Sequence, residues 1–314
     1  MRYEKIAFSK NLETHPYLLT KKIIEDCRLL FSSLMDISFI ESKETSINVF
    51  KNIKLEYKHK ELWQEIWDRH SEKEYKEFIE LKAHRLDINN LVPLIKNKTC
   101  VDFGCGNGAF CFALLEKGAK SVIGIDFGSK SIEYAKKVSQ TLGYNKKVKF
   151  INSQVYDTPF DNEQFDFAVS NGVFHHLSLS NMEKAVAEVA RVLKNNSWFW
   201  YYIDGIGAIS MDLWDKSVEI LEDIPLLMIE RVLKELNISR NKMVHLMDGL
   251  NATYIHSNYQ ETINMLSKYE FTDFKRLTGG TNTDFDFDKI NTDPYGNEKF
   301  GEGDLRILAQ KKKL

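Results

Sequence analysis

Three glycines in five positions, Gly104, Gly106 and Gly108, break an otherwise apolar run and constrain everything around them. Ahead of them, Lys98 to Phe103 reads as a short buried strand: β-compatible, free of proline and ended by glycine. Behind them, Ala109 to Lys117 reads as a helix, with apolar Phe110, Cys111, Ala113, Leu114 and Leu115 and a stop at Gly118. The glycines therefore sit on a strand-to-helix turn. Glycine there permits positive φ and lets a ligand lie against bare main chain. The first turn of the helix offers unpaired N–H groups to a negatively charged ligand group.

A glycine loop alone is a weak signal, but this one has a second half. Ser121 to Asp126 reads as the next strand, and it ends in an acid 18 residues after Gly108. An acid at the end of the second strand of a βαβ unit is placed to hydrogen-bond both hydroxyls of a ribose. The pattern, Asp102-x-Gly104-x-Gly106-x-Gly108, is not the spacing of dinucleotide binders, which disfavours a dehydrogenase. It carries no Lys-Ser/Thr, so it is not a nucleotide-triphosphate loop.

Asp102 to Gly108, with Gly124-Ile125-Asp126 following, resembles the first two motifs of the class I S-adenosylmethionine-dependent methyltransferases. Later segments resemble the same family in order: Phe165 to Asn171 its fourth strand, His175-His176-Leu177 the turn after it, and Ala190 to Lys194 the helix end before its fifth strand. The match covers roughly residues 86 to 205 and the closing strands. The resemblance implies a Rossmann-like, doubly wound α/β fold. Its sheet would be seven-stranded and mostly parallel, with an antiparallel last strand. It also implies S-adenosylmethionine as cofactor, S-adenosylhomocysteine as product, and a cofactor site formed by Asp102, Gly104, Cys105, Gly106, Asp126, Phe127, Gln154, Val155 and Asn171. Gln154 falls where the family often has an acid for the adenine amino group, and its amide oxygen can accept the same hydrogen bond.

With 314 residues the chain suits one large domain or a domain with a cap. Lys+Arg 43 against Asp+Glu 45 leaves no global basic field to hold nucleic acid. The basic run Lys311-Lys312-Lys313 reads as a solvated tail. Cys27, Cys100, Cys105 and Cys111 form no C-x-x-C pair and read as reduced thiols, which suits a reducing compartment. No apolar stretch is long enough to span a bilayer. The expectation is a cytoplasmic protein with no membrane and no nucleic-acid partner; oligomeric state is not readable.

In chain order, Tyr17 to Met35 has a helical apolar face that needs covering, most simply by the catalytic domain. From Leu55 to Leu91 the pattern is helical and charged, and Trp63, Trp67, His70, Tyr75 and Arg85 either line the cofactor pocket or are ordinary core and solvated residues. Residues 1–90 read as an N-terminal helical cap and 91–205 as the Rossmann-like core. Within that core, strands separated by helices imply right-handed βαβ units and a parallel sheet. Trp198 to Ile203 is continuously apolar, hence buried on both faces. Residues 206–268 read as a helical insertion after strand five, the expected substrate lid. Residues 269–314 return as closing strands, with Thr278 to Phe300 as loop.

A sulfonium methyl donor is already activated, so the protein's part is positioning, exclusion of water and, for some acceptors, proton removal. The base candidates His175 and His176 follow strand four, and either could equally be structural. His245 and Asp248, three apart in the insertion, form either a dyad facing substrate or a capping pair. Tyr202 and Asp204 end strand five near the pocket. No metal site is expected. The leading expectation is methyl transfer to oxygen or nitrogen of a small-molecule acceptor. A protein, peptide or RNA acceptor, and a catalytically inactive cofactor-binding protein, stay open beside it.

Overall fold

The computed structural model describes residues 16–36, 72–207, 209–221, 224–238, 243, 246, 254–282 and 284–312. The described chain forms two compact units. The larger holds residues 72–206, 254–289 and 302–312; the smaller is helical and draws on 16–36, the described part of 207–252, and 290–301.

The larger unit is built on seven strands: β1 (Thr99–Phe103), β2 (Ser121–Asp126), β3 (Val148–Asn152), β4 (Phe165–Asn171), β5 (Leu193–Asp204), β6 (Phe271–Arg276) and β7 (Asp304–Lys311). They lie in the order β3-β2-β1-β4-β5-β7-β6. The first five strands pair in parallel, and β7 runs antiparallel to both β5 and β6. This is the Rossmann-like fold expected. The chain leaves β1 toward β2 and β3, then returns to β4 on the other side of β1. The crevice at the carboxyl ends of β1 and β4 is thus the topological switch point, where open α/β sheets bind ligands.

Two apolar layers hold helices on the sheet. On one face Trp200, with Trp198 beside it, packs among Leu86 of α2 (Glu72–Ile88), Ile95 of α3 (Val92–Ile95), Phe110 and Phe112 of α4 (Ala109–Glu116) and Ala135 of α5 (Ser129–Thr141). The Phe110 and Trp200 rings meet edge to face with centroids 5.6 Å apart. On the other face Phe199, Tyr201 and Ile203 pack against Val186 and Val189 of α6 (Leu179–Val192). Each such side chain fully removed from water contributes about 1.5–3 kcal/mol. The two-faced burial read from the aromatic run of β5 is what its alternation produces. The Ser178 side chain caps α6 by accepting from Asn181 N–H at 3.3 Å.

Three expectations need correction. Residues 278–300 are not all loop: α10 (Phe287–Thr292) and α11 (Gly296–Phe300) lie within them. Helices this short show no readable apolar period, and their Asp, Asn and Gly content mimics a turn. The Lys311-Lys312 segment is not a solvated tail. Lys311 is buried at the end of β7 and donates to Leu193 O (3.1 Å) and to Ala190 O, closing the carboxyl end of α6, while Lys312 pairs with Asp273. Third, helix α1 (Pro16–Asp36) is covered within the smaller unit by α7 (Ile209–Leu221) and α8 (Leu226–Glu235). Lys21 reaches Glu235 at 2.5 Å, and Thr20 lies 3.5 Å from Met228 Sδ. Helix α2, grouped with α1 by the sequence boundary at residue 90, packs on α4 in the larger unit.

Candidate functional site

The glycine turn is shaped by two opposite demands. Gly104 has φ +79°, and a Cβ there would fall 2.5 Å from the Val173 methyls, so side-chain packing forbids anything larger. Gly106 has φ +50° and a Cβ there would meet nothing within 4 Å. Its outer face is open main chain beside the switch point, the cradle a ligand needs. The turn is tied to β2 because Ile125 O accepts from both Gly104 N–H (2.8 Å) and Cys105 N–H (2.9 Å). Tyr75 of α2 braces it from the other side, donating to Asn107 O at 2.6 Å.

Asp126 ends β2 buried. Its carboxylate accepts from Gly106 N–H at 2.9 Å and Gly128 N–H at 2.7 Å, and burial still raises its pKa above the usual carboxylate range. An acid so desolvated beside an open loop is suited to take ribose hydroxyls. Asp102, buried at the end of β1, accepts from the Cys111 thiol at 3.4 Å, and burial pushes its pKa up to about 7. Burial likewise pushes the Cys105 thiol up to about 11, and raises those of Cys100 and Cys111, so these thiols stay protonated and unreactive.

The remaining candidates stand at neighbouring strand ends. Phe127 follows β2 half-buried; Gln154 is exposed after β3, and Val155 beside it is buried. Asn171 ends β4, its Oδ1 accepting from Trp200 Nε1 at 3.3 Å. His175 and His176 lie buried in the single 3₁₀ turn Phe174–His176. His175 Nδ1 accepts from the Asp204 N–H at 3.1 Å and lies 3.6 Å from Asp204 Oδ2. The bond to the main chain puts the ring proton of the neutral imidazole on Nε2. His175 O accepts from Ile255 N–H at 2.7 Å, which seats Tyr254 over both histidines, 5.1 Å from the His175 ring and 4.7 Å from that of His176. His256 stacks on Tyr254 at 5.8 Å. Tyr254 and His256 thus stand beside the histidine turn. His245, Asp248, Trp63, Trp67 and His70 lie outside the described residues.

Sequence reasoning also missed a buried ion network at the end of β5. Arg306 of β7 lies over the Tyr202 ring at 4.6 Å and pairs with Asp284 (2.6 Å), Asp286 (2.9 Å) and Asp304 (3.1 Å). Arg85 joins it through Asp284 at 2.9 Å and donates to Gly279 O at 2.9 Å, which commits it away from the glycine turn. The Tyr202 hydroxyl donates to Asp204 at 2.8 Å. A charge inside the apolar run Leu305-Arg306-Ile307-Leu308 was the available signal. Among the described residues no group of three or more His, Cys, Asp or Glu is arranged to hold a metal, and no helix is long and apolar enough to cross a membrane.

Residues 101–201 match a family model described as a methyltransferase domain. The chain is 35% identical over 82 residues to a tRNA U34 carboxymethyltransferase of Cellvibrio japonicus, covering 26% of each chain. It is 33% identical over 121 residues to the probable S-adenosylmethionine-dependent methyltransferase CRG1 of Saccharomyces cerevisiae, covering 37% of this chain and 40% of that one. The matched stretch thus spans between a quarter and two-fifths of these relatives' length. A solved Burkholderia thailandensis 1,6-didemethyltoxoflavin-N1-methyltransferase, with bound 1,6-didemethyltoxoflavin and S-adenosylhomocysteine, shares the fold at TM-score 0.51 and 15% identity, covering 88% of this chain and 98% of that one. Motifs, strand order and family match agree: over residues 101–201 the Rossmann-like unit carries a methyltransferase domain similar to those of the class I S-adenosylmethionine-dependent methyltransferases.

Proposed function

We propose that the protein transfers a methyl group from S-adenosylmethionine to an oxygen or nitrogen of a small-molecule acceptor. The observation that carries the cofactor half is the open face of Gly106 beside the buried Asp126 carboxylate at the switch point. In this reading Asp126 holds the ribose hydroxyls, the Gly104–Gly108 turn lies under the amino-acid end, and Phe127, Gln154 and Val155 receive the adenine. Asn171 and the histidine turn face the transfer region. When bound, the cofactor supplies an activated methyl on sulfonium for in-line displacement. The chain's own residues orient the acceptor and keep water out.

His176 and the Nε2 of His175 are the described candidates to take a proton from the acceptor; His245 and Asp248 belong to the same proposal. Balanced charge, 43 basic against 45 acidic residues, supports an acceptor other than nucleic acid. Relatives named for tRNA, quinone and ribosomal-protein substrates match over stretches of 82, 101 and 77 residues. A protein or RNA acceptor is therefore the second reading.

Calorimetric titration with S-adenosylmethionine and S-adenosylhomocysteine, with NAD as control, tests the cofactor half. Micromolar binding of the adenosyl ligands alone is expected. Asp126→Ala should weaken it by at least about tenfold, the scale of one charge-assisted hydrogen bond. Unchanged affinity in that variant would remove the ribose assignment.

A further inference from the structure

The net charge is near balance but unevenly placed. Several exposed lysines pair with carboxylates, among them Lys73 with Glu77, Lys216 with Glu219 and Lys268 with Glu183. Residues 96–149 instead expose nine lysines against two acids, Glu116 and Glu133. Among the described residues none of the nine forms an ion pair. Like charges crowded together without counter-charges repel one another, and an external polyanion relieves that repulsion.

The topology gathers these lysines at one edge. Lys98 stands just before β1, Lys120 before β2 and Lys147 before β3, and the three strands are parallel neighbours. Main-chain bonds fix the row: Lys98 O accepts from Lys120 N–H at 2.8 Å, and Lys147 O accepts from Val122 N–H at 2.9 Å. Helix α5 runs back from the carboxyl end of β2 to the amino end of β3, so its second half brings Lys136 and Lys137 to the same edge. The loop that follows it stands clear of the core. Leu142 is 43% exposed, and a Cβ on Gly143 would meet nothing within 4 Å. An exposed leucine amid unpaired lysines suits a lipid surface, where the apolar tip enters the acyl boundary and the ammonium groups meet anionic headgroups. Nucleic acid fits this edge less well. Residues 96–149 contain no arginine for bidentate contacts, and Tyr144, beside the tip, is stacked on Phe112 with centroids 6.1 Å apart instead of lying open to a base.

We propose that this amino-end edge of the sheet, centred on Leu142, docks on the surface of an anionic phospholipid bilayer. The contact is peripheral and needs no spanning helix. The glycine turn and Asp126 lie at the carboxyl ends of the same strands, so a bilayer held at the opposite edge leaves the crevice open to water and to its ligands.

The test is co-sedimentation of the full-length protein with vesicles of phosphatidylcholine alone and of phosphatidylcholine mixed equally with phosphatidylserine. Wild type should bind the mixed vesicles, release them as salt rises, and leave phosphatidylcholine alone unbound. Equal binding to both vesicles, or none to the mixed ones, overturns the proposal without any variant. In the combined K136Q, K137Q, K146Q and K147Q variant, binding to mixed vesicles should fall by at least about 30-fold, each lysine near an anionic surface being worth up to about fivefold. Leu142→Ser should lower it by about tenfold, the scale of one apolar side chain withdrawn from lipid. The combined K73Q and K76Q variant, which removes paired lysines from α2, should stay within about twofold of wild type. Full binding by the fourfold variant overturns the proposal, and so does a loss in the α2 variant as large as in the fourfold one, because overall charge then explains the attraction. Binding to duplex RNA but not to the mixed vesicles assigns the edge to nucleic acid and overturns the proposal as well.

Discussion

Asp102 shows how a single side chain can carry an unfavourable energy into the folded structure. Burial raises its pKa to about 7, whereas the unfolded chain ionises near the usual carboxylate value. The folded state therefore binds the proton more tightly, and stability contributed by this group falls as pH rises from about 4 through about 7. Asp102→Asn removes the titration. Urea melts of the ligand-free protein should show the variant more stable at pH 8, by an amount on the order of a few kcal/mol, and level with wild type near pH 4. The same variant should bind S-adenosylhomocysteine more weakly. A parallel pH dependence in both proteins would show that Asp102 is not the titrating group.

At the scale of elements, the closure of α6 by Lys311 joins a helix to a strand more than a hundred residues later. The ammonium meets the last carbonyls of the helix, where the macrodipole also favours positive charge. Lys311→Met keeps the stem and loses those bonds; thermal unfolding should register a cost of about 1–3 kcal/mol, as for a buried charge-assisted hydrogen bond. That contact also marks the limit of what sequence reveals. The glycine turn, Asp126 and the parallel strands were legible because each rests on local requirements: positive φ at Gly104 and Gly106, an acid at a strand end, apolar runs between helices. Lys311 on Leu193 and Arg306 on Asp284 were not, because their partners are 118 and 22 residues away and neither end carries a motif.

For the molecule as a whole, the Arg306 network decides whether the end of β5 and the residue 278–286 segment stay joined to the sheet. Three carboxylates surround one guanidinium, which is almost fully buried. Arg306→Met leaves Asp284, Asp286 and Asp304 without that counter-charge, and breaking a buried pair in this way costs about 3–5 kcal/mol. Chemical denaturation should show the loss, and it should shrink below neutral pH as the freed carboxylates protonate; a loss independent of pH would assign the cost to packing instead.

The position of β7 between β5 and β6 has a consequence for how the chain acquires its shape. β6 is made before β7 and has no other neighbour in the sheet. It must wait, with its edge unpaired, until the later strand is available to bridge it to β5. Sheet completion is then an ordered event that joins segments about a hundred residues apart, and such distant closure slows folding. A newly made chain would pass through an interval in which the five parallel strands are assembled while the edge they present still awaits its last two, the interval in which chaperones would be needed most.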